Sequence, residues 1–427
     1  MYLQWCIEEN IPQAHRANCN TYYKIFNEFF NIKFRILKKD DCDNCFLWRF
    51  LPDAKKMEQK KMSTNNIFKT EKVLSYEFKA DLKQLTKNNA HVHAAAFDFQ
   101  KTLLCPQGTS AVLYYSMRLR NYDFTITNIS NMEVDCFFWS EEEGAKGSNE
   151  VASCLLKYLS KVKSTGASEI HLLCDRCFGQ NCNRMVFLCL FLAMHWFKFS
   201  ELHLHFLVTG HSYNENDNCH SVIEKEASQS TVFTPEQWEC IILNALTKKR
   251  RQVAITAMQH SDFHNFKFGP HLELFRNILK RKTTFTEGDK QEAVLWSQVM
   301  HLKFTQKEPT KMFFKYSYSQ EEYHVAEFVG NETKSKLKKV TRRAAQNSHE
   351  AQLKTFVDNV SVEDLPLCYT SKLGITADKY SDLAKLCEKK IIPEHYWSFY
   401  DSLKTNGKDV YESTDEEAYN SDDNDIE

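Results

Sequence analysis

Residues 210–226 read GHSYNENDNCHSVIEKE, and they pack Glu215, Asp217, His220 and Glu224 into one short segment directly after the apolar run Leu202 to Val208. A helix beginning near Asp217 places Asp217, His220 and Glu224 at i, i+3 and i+7, on a single face. Such a face needs a partner, and two other acids supply it. Asp98 interrupts the apolar run Ala94 to Phe99, and Asp175 directly follows EIHLLC, Glu169 to Cys174. Aspartate is depleted in strands, and a buried carboxylate without a partner is expensive. Acids in these places call for a reason, and a shared divalent metal is one.

Working outward, the pattern from His91 is that of strands. HVHAAAFDFQK, Val112 to Arg120, Tyr122 to Asn128 and Val134 to Ser140 are four β-rich runs separated by turn residues. A helix is expected from Ser148 through Leu159, with Glu150 as a favourable first-turn charge. A strand ending at Asp175, a loop from Arg176 to Asn183, an apolar helix from Met185 to Phe197 and a strand from Leu202 to Val208 follow, and the helix bearing Asp217 and Glu224 closes the series. This order predicts an α/β domain of the RNase H-like kind: a mixed sheet flanked by helices, with acids from distant points of the chain meeting at adjacent strand ends.

Four regions result. Residues 1–90 are expected to be a helical N-terminal region, with an apolar stripe over Tyr22, Tyr23, Ile25, Phe26, Phe29 and Phe30 and a CxxC at Cys42 and Cys45. That pair is half of a zinc knuckle; no second half lies nearby, so zinc is disfavoured. Residues 91–234 form the RNase H-like core. Residues 235–404 are expected to be a mostly helical accessory region with one strand, Met312 to Tyr318. Its first helix is capped by Thr234, with Pro235 at the first turn, Gln237 in a capping box and a stripe of Trp238, Ile241, Ile242 and Leu246. Residues 405–427 are expected to be a disordered acidic tail.

Charge and composition narrow the class. Hydrophobic residues make up 42% of the 427 and aromatics 13%, which excludes wholesale disorder. The net charge of −1 hides an asymmetry: residues 408–427 hold nine acids and one lysine, leaving 54 Lys and Arg against 47 Asp and Glu elsewhere. The basic clusters Lys248, Lys249, Arg250 and Arg251, then Lys280 to Lys282, then Lys334 to Arg343 suit DNA-backbone contact and nuclear import. The start of the chain lacks a signal-peptide pattern, and its longest central apolar run is too short to span a bilayer. The 15 cysteines are read as reduced thiols of an intracellular, nuclear protein, and no membrane contact is expected.

Several of these segments also carry a family resemblance. FDFQK (97–101), GSNEVASCLLKYL (147–159), DRCFGQNCNR (175–184), GHSYNENDNCHSVIE (210–224) and the late LPLCY and IIPEHYWSFYDSL resemble the uncharacterised transposase-like proteins of arthropod genomes, as do TYYKIFNEFFNIKF and KDDCDNC nearer the start. The resemblance implies descent from a DNA transposon and an RNase H-like core. It departs at Arg176, where relatives usually carry Asn or Ser; a cation there stands beside a candidate metal ligand. Longer relatives have a polar, cysteine-containing region upstream, so a DNA-binding module is expected to be missing here.

The chemistry expected is that of a DDE-type transposase or nuclease acting on DNA phosphodiesters. Two Mg²⁺ or Mn²⁺ ions about 3.5 to 4 Å apart activate the nucleophile and stabilise the leaving oxygen. Asp98 is expected to bridge them and Asp175 to be the second ligand. Asp217 or Glu224 is the third; Glu224 is preferred, because Asp217 suits a helix cap and Glu224 has the longer reach. His211 and His220 are expected to position the phosphate or the water. The competing expectation is a catalytically inactive, co-opted nuclear DNA- or protein-binding protein, favoured by Arg176. Self-association is compatible with both.

If the basic body contacts DNA, binding to duplex DNA falls steeply with salt through counterion release. Deleting residues 408–427 should then tighten it, because the acidic tail competes with phosphate. Fluorescence anisotropy over a salt series checks this, and binding that is independent of salt contradicts it.

Overall fold

The alternation of apolar runs with amphipathic ones resolves into one mixed sheet with helices on both faces. The computed structural model describes Cys6, Glu9, Ile11, Pro12 and residues 64–405, apart from Phe178, 209–213, 267–283, 288–289, Phe328 and 330–341; for 64–70, 284, 286–287, 290–291 and 342–349 it describes the backbone alone. The chain divides into two compact units, residues 1–50 and 51–427. All elements named below belong to the second.

In chain order they are α1 (Thr64–Asn88), β1 (Val92–Phe99), β2 (Leu103–Cys105), α2 (Ala111–Tyr115), β3 (Leu119–Asn128), β4 (Val134–Ser140), α3 (Ser148–Lys163), β5 (Glu169–Cys174), α4 (Arg184–Phe197), β6 (Glu201–Phe206), α5 (Glu215–Ala227) and α6 (Pro235–Thr247). There follow β7 (Val253–Ala257), β8 (Thr284–Glu287), β9 (Lys290–Ala293), β10 (His301–Thr305), β11 (Lys311–Lys315), β12 (His324–Glu327), α7 (Arg342–Asn359), α8 (Ala377–Glu388) and α9 (Trp397–Asp401).

The main sheet has the order β12-β11-β10-β6-β5-β1-β3-β4-β7, with β2 paired to β3; β8 and β9 form a separate hairpin. At its centre β1, β5 and β6 run parallel. On one side β3 is antiparallel to β1 and β4 to β3, and β7 adds in parallel to β4. On the other side β10 is antiparallel to β6, and β11 and β12 continue antiparallel.

The period of two along β1 assigns the faces. Ala95, Phe97 and Phe99 point to the side covered by α3 and α4, where they share a core with Leu155, Leu159, Phe187 and Phe191. Helix α4 is apolar nearly all round because it is enclosed: it packs on α3, on β6 and β10, and under α7. Its start is fixed by Asn183, whose side chain accepts from the backbone N–H groups of Met185 and Val186. Ala94 and Ala96 point to the opposite side, against Leu82 and Phe78 of α1. On that side Cys136 and Phe138 of β4 pack with Ile223 of α5 and Trp238 and Ile242 of α6. Asp98 shares the parity of Ala94 and Ala96, so it stands on this second face.

Two expectations need correction. The run from Val112 to Arg120 is not one strand: residues 111–115 form the short helix α2, and β3 starts at Leu119. Its β-branched and aromatic content resembles a strand, yet Tyr114 and Tyr115 are 77% and 84% exposed, so they have no sheet to pack in. The region after 235 holds more than the one strand expected, since it supplies β7 to one edge of the sheet and β10, β11 and β12 to the other. HLKFT and KMFFK alternate inward and outward with period two and were legible as strands. Met312 to Tyr318 does contain a strand, β11. Helix α6 starts as expected, with Pro235 at N1 and Gln237 closing a capping box with Thr234. None of the described helices is long and apolar enough to cross a membrane.

Since β10 belongs to the central sheet, its core cannot fail alone. Phe304 is fully buried in β10 and meets Phe191 edge-on, with 5.5 Å between ring centroids. Phe304→Ala should lower unfolding free energy by about 3–5 kcal/mol, in a single urea transition that includes the distant Trp139 and Trp238. A tryptophan transition left at its wild-type midpoint would show that β10 is separable.

Candidate active site

The lateral register builds the site. Phe97 on β1 pairs with Cys174 on β5, so the next row sets Asp98 beside Asp175, the first residue after β5. On its other side Asp98 pairs with Thr125 of β3. Helix α5 packs across β1 and β3 and brings Asp217 in on its first turn.

The helix is held there by a reciprocal cap. Asn214 is the N-cap: its Oδ1 accepts from the Asn216 N–H at 3.2 Å, while Asp217 Oδ2 accepts from the Asn214 N–H at 2.9 Å. Asn214 Nδ2 also donates to the Phe97 carbonyl at 3.3 Å, pegging the start of α5 to the β1 backbone next to Asp98. The helix therefore begins two residues before Asp217. Asp217 is not the cap residue itself; it occupies the third helical position, with one carboxylate oxygen engaged by the cap.

The carboxylates act on one another. Burial pushes Asp98 up to about 7; the charge of Asp175 adds to this and that of Asp217 adds further, while the Phe99 N–H at 2.8 Å and Lys146 pull the other way. Asp175 is raised by partial burial and then by Asp217, and Lys79 opposes this. Thus the charges of Asp175 and Asp217 reach Asp98, and that of Asp217 reaches Asp175; one oxygen from each of the three does not lie within 4.8 Å of the other two. Glu224 lies two turns further along α5, exposed, with Oε1 3.5 Å from Gln100 Nε2.

Two lysines flank the cluster. Lys146 lies 4.8 Å over the Phe99 ring, and burial lowers its pKa against the pull of Asp98 and Cys177. Lys79 of α1 pairs with Glu215 of α5 at 2.8 Å. Neither lysine stands out in the sequence, because each is brought in by packing between remote segments.

His220 is buried rather than poised at the mouth. Burial, and then Lys146, drive its pKa down to about 3, so the ring is neutral. Its Nε2 lies 3.1 Å from Thr125 Oγ1. The Thr125 hydroxyl donates to Asp123 Oδ2 at 3.3 Å, so the His220 N–H donates to Thr125. His220 thereby buttresses α5 against β3 below the acids. Asp123 is fully buried and pushed up to about 7 by that burial; flanked by Tyr122 and Phe124, it carries the same local signal as Asp98 inside FDF.

Arg176 turns away from the acids. Its guanidinium donates to the carbonyls of Ser297 and Val299, both at 3.0 Å, and contacts Met300 Sδ. It ties residues 297–300 to the end of β5, where the guanidinium is engaged by backbone carbonyls. In the cluster at 248–251, Lys248 pairs with Glu226 at 2.6 Å, and Arg251 donates to Asn218 Oδ1 at 2.7 Å and to Cys219 Sγ at 2.6 Å. Lys249 and Arg250 are exposed. His211, Cys42, Cys45, residues 280–282, 334–341 and the acidic tail lie outside the described residues, as do the side chains of Arg342 and Arg343.

Residues 125–303 match the domain of unknown function DUF7869. That stretch begins at the residue facing Asp98 and includes Asp175, Asp217, His220 and Glu224. No curated protein and no solved structure matches the chain.

A carboxyl whose folded pKa lies above its unfolded value binds more protons folded than unfolded, so its contribution to stability falls as pH rises between the two. For Asp98 that window runs from about 4 to about 7. In chelator, Asp98→Asn should leave stability near pH 4 unchanged and raise it near pH 8 by up to about 4 kcal/mol, roughly three pKa units. Urea denaturation at both pH values checks this; an amide variant less stable than wild type near pH 8 contradicts it.

Proposed function

We propose that the chain is a transposon-derived, DDE-type nuclease or transposase that hydrolyses or transfers DNA phosphodiester bonds, with Mg²⁺ or Mn²⁺ held by Asp98, Asp175 and Asp217. The observation that carries this is that β1, the end of β5 and the first turn of α5 bring those three carboxylates near enough for the charges of Asp175 and Asp217 to act on Asp98, which burial first and those charges next raise to about 7. The order β4-β3-β1-β5-β6, three antiparallel strands followed by two parallel ones joined through helices, supports an RNase H-like reading.

The donor set fits the metal. Ionised carboxylates offer only oxygen acceptors, which hard cations prefer, and a divalent cation among these three would offset the burial and the neighbouring charges that together raise Asp98. When bound, the ions supply activation of a water or hydroxyl and stabilisation of the leaving oxygen. The protein's own part is placement. The Asn214 peg and the β1–β5 register fix the three carboxylates, His220 and Thr125 hold α5 in position, and the partly dehydrated Lys146 offers a cation to a phosphate oxygen.

DNA is the partner in this reading, with exposed Lys249 and Arg250 among the backbone contacts and the nucleus as the place of action. Asp217 takes the third ligand position in preference to Glu224, because its charge is one of those that act on Asp98 and Asp175. The binding-protein alternative drew on Arg176, and that side chain is committed elsewhere.

Mn²⁺ titration calorimetry separates the roles. Asp98→Asn, Asp175→Asn and Asp217→Asn should each abolish Mn²⁺ binding and Mn²⁺-dependent plasmid nicking, while Glu224→Gln keeps both. Wild-type protein that binds no Mn²⁺ in the millimolar range overturns the proposal.

A further inference from the structure

On the same face of the sheet, toward the opposite ends of the strands, stands a second cluster that the carboxylate site does not use. Period-two spacing puts Glu169 and His171 of β5, Glu201, His203 and His205 of β6, and His301 and Lys303 of β10 side by side: His171 pairs across with His203, and His205 with His301. The four imidazoles are stacked, with His171 and His203 centroids 4.2 Å apart and His205 and His301 4.0 Å apart. His171, His203 and His205 are 6%, 5% and 1% exposed. One ligand atom from each of those three lies within 4.8 Å of the other two.

The hydrogen bonds give the rings their orientation. His171 Nε2 meets Glu169 Oε1 at 2.9 Å and His203 Nε2 meets Glu201 Oε2 at 3.1 Å. A carboxylate only accepts, so each Nε2 carries the proton and a neutral ring presents its Nδ1 lone pair inward. This is the carboxylate–histidine arrangement that orients metal-ligating imidazoles. His171 Nδ1 takes a bond from His205 Nε2, and His203 Nδ1 one from His301 Nε2, both at 3.0 Å; His301 Nδ1 in turn meets the Tyr323 hydroxyl at 3.2 Å. The other nitrogen of His205, Nδ1, is buried and has no partner among the described residues. Moving the His205 proton from Nε2 to Nδ1 therefore gives up only the bond to His171.

We propose that His171, His203 and His205 bind a Zn²⁺-type divalent cation, through Nδ1 of the first two and Nε2 of the third, with Glu169 and Glu201 as the carboxylates that orient the rings. Nitrogen donors select borderline cations of the zinc class over Mg²⁺, so this centre is chemically distinct from the carboxylate cluster and independent of its function. Glu169 and Glu201, with side chains 35% and 24% exposed, form the side from which a hydrated cation reaches the rings. Zinc was disfavoured from the cysteines; imidazoles from two neighbouring strands, β5 and β6, are the donors instead.

Metal-free, full-length protein is titrated with Zn²⁺ by calorimetry and with Co²⁺ by visible spectroscopy, both in excess Mg²⁺. One equivalent of Zn²⁺ should bind at micromolar affinity or tighter, and Co²⁺ should give the intense bands of a tetrahedral, nitrogen-ligated ion. Glu201→Gln, a rim substitution that spares the core, should weaken Zn²⁺ binding about 10- to 100-fold; His203→Gln should weaken it more, and Asp98→Asn should leave it unchanged. Wild-type protein that takes up no Zn²⁺, or Zn²⁺ binding lost in Asp98→Asn and retained in His203→Gln and Glu201→Gln, overturns the proposal.

Discussion

The site depends on the lateral register between β1 and β5. With Phe97 opposite Cys174, Asp98 falls beside Asp175 on the face that α5 covers. A slip of one residue would exchange the two faces of the strand, sending Asp98 into the apolar core with Phe187 and Phe191 and bringing Phe97 out beneath α1. The core itself prevents this, since Ala95, Phe97, Leu172 and Cys174 are all fully buried on the α3 and α4 side. The apolar packing on one face of the sheet thus enforces the polar geometry on the other.

That geometry is unfavourable for folding on its own account. Three carboxylates share a region with few compensating groups, and Asp123 lies in the same layer, fully buried. The offsets are local. Lys79 pairs with Glu215 and acts on Asp175, Lys146 acts on Asp98, and the Asn214 box engages one oxygen of Asp217. None of them neutralises Asp98, whose pKa stays near 7. Crowded, partly buried acids of this kind are the arrangement on which the proposed cation site rests.

Much of this was legible in the sequence, and the rest was not for identifiable reasons. An aspartate inside FDF, another ending EIHLLC and a capped polar helix are local signals, and they led to β1, the end of β5 and α5. The preference for Glu224 rested on Asp217 capping the helix, whereas the cap is Asn214; the Asn-x-x-Asp spacing at 214–217 was the available clue. The joining of β7 and of β10 to β12 onto the sheet is a long-range pairing that no local pattern states. The histidines of ELHLHF and EIHLLC were visible with the right period, but their meeting depends on β5, β6 and β10 being neighbours. Arg176 looked threatening beside Asp175 only until the carbonyls of Ser297 and Val299 were placed.

The central claim is that Asp98, Asp175 and Asp217 share a divalent cation. A crystal structure of the protein soaked in Mn²⁺, with anomalous data collected at the manganese edge, tests it most directly. The account predicts an anomalous peak coordinated by Asp98 and Asp175 oxygens, with Asp217 completing the protein ligands. Diffraction that shows the three carboxylates ordered and no peak among them would contradict it.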